Sequence, residues 1–215
     1  MLLFFGSTIL SVLIYRWCPV YITPLMLIRC VQQMGRGEEI RLRHRWVALD
    51  SMSMYMPVAV MASEDQRFLN HHGFDFVEIG NAIQERQQGK RRRGGSTISQ
   101  QTAKNVFLWP AQSWVRKGLE TYFTALIEVI WGKRRIMEVY LNSIEMGNGI
   151  YGAEAVAQLN FHRPASELTR ANCALIAATL PNPLRFDSAH PSEYMLKRQT
   201  AIMQQMRHID LFPAK

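Results

Sequence analysis

The sequence lacks most of what would mark a metalloprotein, a disulfide scaffold or a nucleotide enzyme. Its three cysteines, Cys18, Cys30 and Cys173, stand in no metal-ligand spacing and leave one over after any pairing. Cys173 sits in an apolar run over residues 171–176, which reads as a buried, inert thiol. Gly147-Asn148-Gly149 has no strand before it and no third spaced glycine, so it reads as a turn and not as a dinucleotide fingerprint. Acidic residues are scarce: 17 against 25 lysines and arginines leave a net charge of +8, which implies an anionic partner. Aromatic and basic residues are not interleaved and no nucleic-acid motif occurs, so no nucleic acid is expected among the partners. Alternating strand patterns are few and no internal repeat is found. With 48% hydrophobic and 20% charged residues the chain is globular, and its soluble part is expected to be mainly α.

Residues 1–15 carry no charge. As a helix they would span about 22 Å, short of the roughly 30 Å hydrocarbon core. Trp17 to Val20, beyond Arg16, extend the run, and Tyr15, Trp17 and Tyr21 suit an interfacial belt. No basic segment precedes it and no small-residue cleavage site follows, which argues against a signal peptide. The run is expected to be a shortened form of a single amino-terminal anchor. This divides the chain into a membrane anchor and interfacial segment (1–30), a basic juxtamembrane connector (31–55) carrying Arg36, Arg41, Arg43, His44 and Arg45, and a catalytic domain (56–215). Further on, Lys90-Arg91-Arg92-Arg93 is a basic loop that would attract anionic head groups at about 1 kcal/mol per cation.

Two stretches carry the chemistry. Ser63-Glu64-Asp65-Gln66-Arg67-Phe68-Leu69-Asn70-His71-His72-Gly73 follows the apolar run Pro57 to Ala62. If helical, it puts Glu64, Phe68 and His71 on one face. A carboxyl so placed, partly out of water, suits a general base or acid; an ordinary helix end with a Gly73 stop fits the same residues. In the second stretch, Gly94-Gly95 lead through Ser96, the expected N-cap, into Thr97-Ile98-Ser99-Gln100-Gln101-Thr102-Ala103-Lys104-Asn105. Its free amides and its line of polar side chains read either as an anion site or as a capped polar helix. Ser113 is expected to cap a third helix, in which Arg116 and Glu120 stand at i,i+4. That pair is either a plain helix ion pair or an anion-binding arginine beside a second acid, made semi-buried by Phe123 and Ile127. Lys133 to Asn142 is amphipathic, with Arg134 placed to pair with Glu138. Thr169 and Ser192 are expected to cap later helices.

Together these blocks resemble the peptidoglycan glycosyltransferases (transglycosylases), specifically the monofunctional membrane-anchored enzymes of bacterial cell-wall synthesis. The matching blocks are Glu64-Asp65, Phe68, His71 and Gly73; Gly94 to Ile98 with Gln100, Gln101, Lys104 and Asn105; Arg116-Lys117 with Glu120; Lys133 to Asn142; and Leu180-Pro181. They cover roughly residues 56–187. The resemblance implies a lysozyme-like domain with a head and a smaller, membrane-touching jaw. It implies that the 4-hydroxyl of incoming lipid II attacks the anomeric carbon of the lipid-linked growing chain, with inversion and loss of undecaprenyl pyrophosphate. Glu64 would be the general base. Glu120 would assist pyrophosphate departure, directly or through a divalent metal such as Mg or Mn. Asp65, Phe68, His71, Ser96, Thr97, Gln100, Gln101, Lys104, Asn105, Arg116 and Lys117 would hold substrate. The chain departs from the family at Gln112, where members often carry Arg; that phosphate contact then falls to Arg116 or to the 90–93 loop. A single-pass protein of the bacterial inner membrane is implied, with its catalytic domain on the periplasmic side and other cell-wall synthesis or division proteins as further partners. No Ser-x-x-Lys stretch occurs, so no transpeptidase domain is expected. The rival reading is a lysozyme-type glycoside hydrolase, which also uses two carboxyls but has no use for a pyrophosphate cradle.

Overall fold

Thr23, Thr97, Ser113, Thr169 and Ser192 each place a side-chain oxygen on an amide of the helix that follows. These caps satisfy donors that would otherwise face no partner, and they punctuate the chain. The computed structural model describes residues 1–88, 95–111 and 113–213. In order these form α1 (Leu2–Tyr15), α2 (Pro24–Gly35), β1 (Arg43–His44), α3 (Tyr55–Glu64), α4 (Phe76–Gln87), α5 (Ile98–Phe107), α6 (Trp114–Ile130), α7 (Gly132–Ser143), β2 (Glu145–Gly147), β3 (Ile150–Tyr151), α8 (Ala153–Phe161), α9 (Arg170–Ala177) and α10 (Glu193–Gln205). The mainly α expectation holds. The 90–93 basic loop and Gln112 lie outside the described residues.

The centre is α3, whose residues 56–62 are all buried. A helix apolar on every side has no solvent face to offer, so it takes the middle of the bundle. It packs against α9, which packs in turn on α10, while α5 lies against α6 and α7. Phe107 and Phe123 stack at 4.5 Å between α5 and α6. Cys173 is fully buried, and burial pushes its thiol up to about 12.

The helix expected to run from Glu64 through His71 does not form. α3 stops at Glu64, Asp65 takes φ −161° and ψ 80°, and a short 3-10 turn (Phe68–Asn70) follows. The reason is a competing use for Asp65. Its carboxylate accepts from His71 Nε2 at 3.0 Å and from the amide of Ile98, the first residue of α5, at 3.0 Å. Turning the chain there ties the end of α3 to the start of α5. Thr97, not Ser96, is the N-cap of α5. Its hydroxyl donates to Gly73 O at 2.7 Å and accepts from Gln100 N, and Gln100 Oε1 accepts from Thr97 N in a reciprocal capping box.

The sheet is small, ordered β1-β3-β2, with β1 parallel and β2 antiparallel to β3. Asn142 binds the stretch before α3 to α7: its Oδ1 accepts from Val47 N at 3.0 Å and its Nδ2 donates to Val47 O at 2.9 Å. Residues read as a connector are thus packed against the body. Arg134 pairs with Asp50 and not with Glu138, which instead takes Arg135 and the Leu49 amide. Gly152 starts α8 at φ +84°, and a Cβ there would lie 2.7 Å from Asn142 O. Left-handed strain alone costs a side chain roughly 1–2 kcal/mol, and the carbonyl contact adds to it. Gly152→Ala is expected to lower Tm by about 4–8 °C at this chain length, read by scanning calorimetry; an unchanged Tm would refute the close approach.

No helix, among the described residues, is long and apolar enough to cross a membrane. α1 has 14 residues and lies along α6. Thr8 Oγ1 and Tyr122 Oη are 2.9 Å apart, Phe4 and Phe5 pack on the Tyr122 ring, and Trp131 Nε1 donates to Val12 O at 2.7 Å. Leu2, Leu3, Leu10 and Ile14 remain exposed on its other side.

Candidate active site

Glu64 emerges half-buried where α3 ends, and two donors fix it. Ser63 Oγ donates to Oε1 at 3.0 Å and Gln101 Nε2 to Oε2 at 3.1 Å. The Gln101 carbonyl accepts in turn from Tyr140 Oη at 3.3 Å. Each Glu64 oxygen keeps a lone pair for a further proton. Such a carboxylate is oriented yet reachable, which is what a general base requires.

Glu120 is buried on α6, 3% exposed. Arg116 Nη1 donates to its Oε2 and Lys117 Nζ to its Oε1, both at 2.5 Å. The acid expected here to be semi-buried is fully buried, and it is paired with two cations on its own helix. Lys104 links the two acids. It stands on α5 three residues after Gln101, half-buried. Burial lowers its pKa from the ordinary lysine value, Glu120 and Glu64 pull it back up, and Arg116 and Lys117 push it down. One ammonium therefore feels both carboxylates and both α6 cations. The four basic and acidic groups of α5 and α6, with Glu64 beside them, form a single electrostatic unit.

The remaining expected residues divide by burial. Ser96 is exposed, and Gln101, Lys104, Arg116 and Lys117 are half-buried with polar atoms able to meet a ligand. Asp65, Phe68, His71, Thr97, Gln100 and Asn105 are buried. Asp65, His71, Thr97 and Gln100 are occupied in joining α3 to α5, and Phe68 lies in the core beneath Lys133 Nζ, 4.4 Å above its ring. For these five the geometry gives support of the site in place of substrate contact. Asn105 Nδ2 is buried without a hydrogen-bond partner.

Asp65, His71 and Asp75 cluster closely enough for a metal ion. Their charge already has partners: Asp75 Oδ2 stands 3.1 Å from Arg67 Nε, an ion pair whose angle misses hydrogen-bond geometry, and Asp75 Oδ1 caps α4. A hard divalent cation needs several free oxygens. The metal expected at Glu120 meets no such donor set either, since both of its oxygens face cations. A hollow along α4 is lined by Glu78, Asn81, Gln84 and Glu85 with Gln88 just past its end, and none of the groups above lines it.

Sequence reading missed Ser63 and Tyr140 as parts of the site. Tyr140 was visible as one apolar position of an amphipathic helix and as part of the Lys133 to Asn142 block, with no role at the site. It also missed Glu128, which joins Ser99 of α5 to Lys133 of α7, the latter at 2.6 Å. No local pattern distinguishes such a half-buried acid from a surface one.

Comparison with known proteins bears on this arrangement. A sequence profile described as Transglycosylase matches residues 31–207. A biosynthetic peptidoglycan transglycosylase of Bacteroides thetaiotaomicron is 60% identical over 213 residues, covering 99% of this chain and 86% of its own. Proteins of the same name from Caulobacter vibrioides (52% identical, 92% and 83% covered) and Bdellovibrio bacteriovorus (51%, 95% and 82%) are also similar.

Proposed function

The chain belongs to the transglycosylase family, the peptidoglycan glycosyltransferases, and on that premise we propose how its residues polymerise lipid II into glycan strands. Glu64 takes the proton of the 4-hydroxyl of incoming lipid II as that oxygen bonds to the anomeric carbon of the growing chain. The bond from that carbon to the lipid pyrophosphate breaks from the opposite face, so configuration inverts and undecaprenyl pyrophosphate leaves. Charge on the leaving group grows in the transition state. Cations fixed beforehand stabilise that state more than the ground state. Lys104, Arg116 and Lys117 supply them, and Glu120 holds the last two in place. With both of its oxygens facing these cations, Glu120 does not fit a divalent metal. Gln101 orients Glu64, while Ser96 at the mouth of α5 meets sugar or phosphate. Asp65, Phe68, His71, Thr97, Gln100 and Asn105 act from behind.

The observation that carries the reading is the pair of cations, Arg116 and Lys117, set on the Glu120 carboxylate, with Lys104 half-buried on α5, which packs against the same helix. A hydrolase has little use for three cations beside its acids. The lysozyme-like head and jaw belong to this reading, as do placement at the bacterial inner membrane with the catalytic side outward and work alongside other cell-wall synthesis proteins. Residues 1–30 serve there as the tether, supported by the exposed apolar side of α1 and by Trp17, 70% exposed.

The test is a polymerisation assay with the purified full chain and labelled lipid II in detergent. A ladder of glycan strands, digestible by a muramidase, is the expected product. Cleavage of finished strands without any synthesis would transfer the case to the glycoside hydrolases.

A further inference from the structure

We propose that Tyr140 is a positioning residue for the base: its hydroxyl locks the Gln101 amide in the one orientation that presents N–H to Glu64. The proposal rests on the reading of Glu64 as general base. Three helices meet in this contact, with Glu64 ending α3, Gln101 on α5 and Tyr140 on α7.

An amide presents a donor at one end and an acceptor at the other, and nothing in Gln101 itself chooses which end faces the carboxylate. Tyr140 makes the choice. It is fully buried, so its O–H must find an acceptor inside the protein. The one it has is Gln101 Oε1, at 3.3 Å. Turning the amide over would leave that O–H buried with no acceptor and set a carbonyl against the Glu64 carboxylate. Both changes are unfavourable, so the two ends of the amide enforce each other. Burial and the charges of Glu64 and Asp65 push the phenol's pKa well above its ordinary value. It therefore stays a donor wherever the enzyme works.

The consequence is functional as well as structural. With N–H fixed toward it, the Oε2 lone pair that remains keeps one direction. Without Tyr140 the amide turns freely, its carbonyl can face Glu64, and that lone pair loses its direction.

Tyr140→Phe keeps the ring and removes only the hydroxyl. In lipid II polymerisation by the full chain it is expected to lower kcat about tenfold with KM little changed. In a Gln101→Met background the same change is expected to have no further effect on either quantity. Tyr151→Phe is the control. It removes another buried hydroxyl, one facing Glu145 at 3.4 Å, and should alter Tm without lowering kcat. A kcat left in place by Tyr140→Phe, or effects that simply multiply with those of Gln101→Met, would overturn the proposal. Should Tyr140→Phe fold poorly, Gln101→Met alone decides: an unchanged kcat there overturns it equally. If Glu64→Gln itself remained active, the failure would lie with the base assignment and not with Tyr140.

Discussion

Glu64→Gln is expected to reduce the turnover of lipid II polymerisation by about 10²–10⁴-fold, the range spanned by a positioned general base. The substitution is nearly isosteric. Its amide can still meet Ser63 and Gln101, because Ser63 Oγ accepts as readily as it donates. The group is half-buried and outside the core cluster, so stability should change by no more than about 0.5 kcal/mol. What is lost is the lone pair that receives the sugar hydroxyl's proton. Donor binding should survive, since the proposed roles give the diphosphate to Lys104, Arg116 and Lys117, and a filter-binding or fluorescence titration with lipid II would show similar affinity. Single-turnover polymerisation, with Tm measured in parallel, separates these effects. Activity within tenfold of the parent, in a protein that folds equally well, would remove Glu64 from the mechanism.

Much of this arrangement could be read from residue types and spacing, and the misses share a physical cause. Ser113, Thr169 and Ser192 were legible as caps because each is a hydroxyl one residue before a helical pattern, with no rival use. At Ser96-Thr97 two hydroxyls compete. The winner is the one that can also reach Gly73 O across a turn, a contact set by tertiary structure. The break at Asp65 was hidden in the same way. Helix propensity permits continuation, but a carboxylate that binds both His71 and the Ile98 amide gains more by stopping. Arg134 had Glu138 in reach by spacing, and took Asp50 because Glu138 was already bonded to Arg135 and the Leu49 amide. Glu120 was legible as semi-buried from Phe123 and Ile127, one helical turn and two turns on, and the same local logic gave Arg116 as its partner. Local rules thus located both acids. The hydroxyl of Tyr140 behind Gln101 depends on how three helices meet, which spacing along one of them does not encode.

Glu120→Gln should have the second largest effect, and on two separate quantities. The carboxylate now fixes Arg116 and Lys117 at 2.5 Å each. With the charge gone, both cations remain but lose their anchor, so they bind diphosphate without being set for the charge that develops as it leaves. Such a change lowers kcat, by about 10²-fold if one fixed donor is a fair comparison, and leaves KM similar or lower. The stability cost should stay below the roughly 3–5 kcal/mol of breaking a fully buried pair, because the Lys117 side chain is 42% exposed and screened by water. The pH profile supplies the second quantity. Lys104 acts as an ammonium, so activity falls as pH rises through its pKa, which burial has already lowered from 10.5. Glu120 is the strongest of the charges holding that pKa up, and Glu64 the weaker. Removing Glu120 leaves burial, Arg116 and Lys117 all acting downward against Glu64 alone. The alkaline limb of kcat/KM should therefore move to lower pH. An alkaline limb that stays where it was, with kcat within threefold of the parent, would mean that the α6 acid and the α5 lysine do not work as one unit.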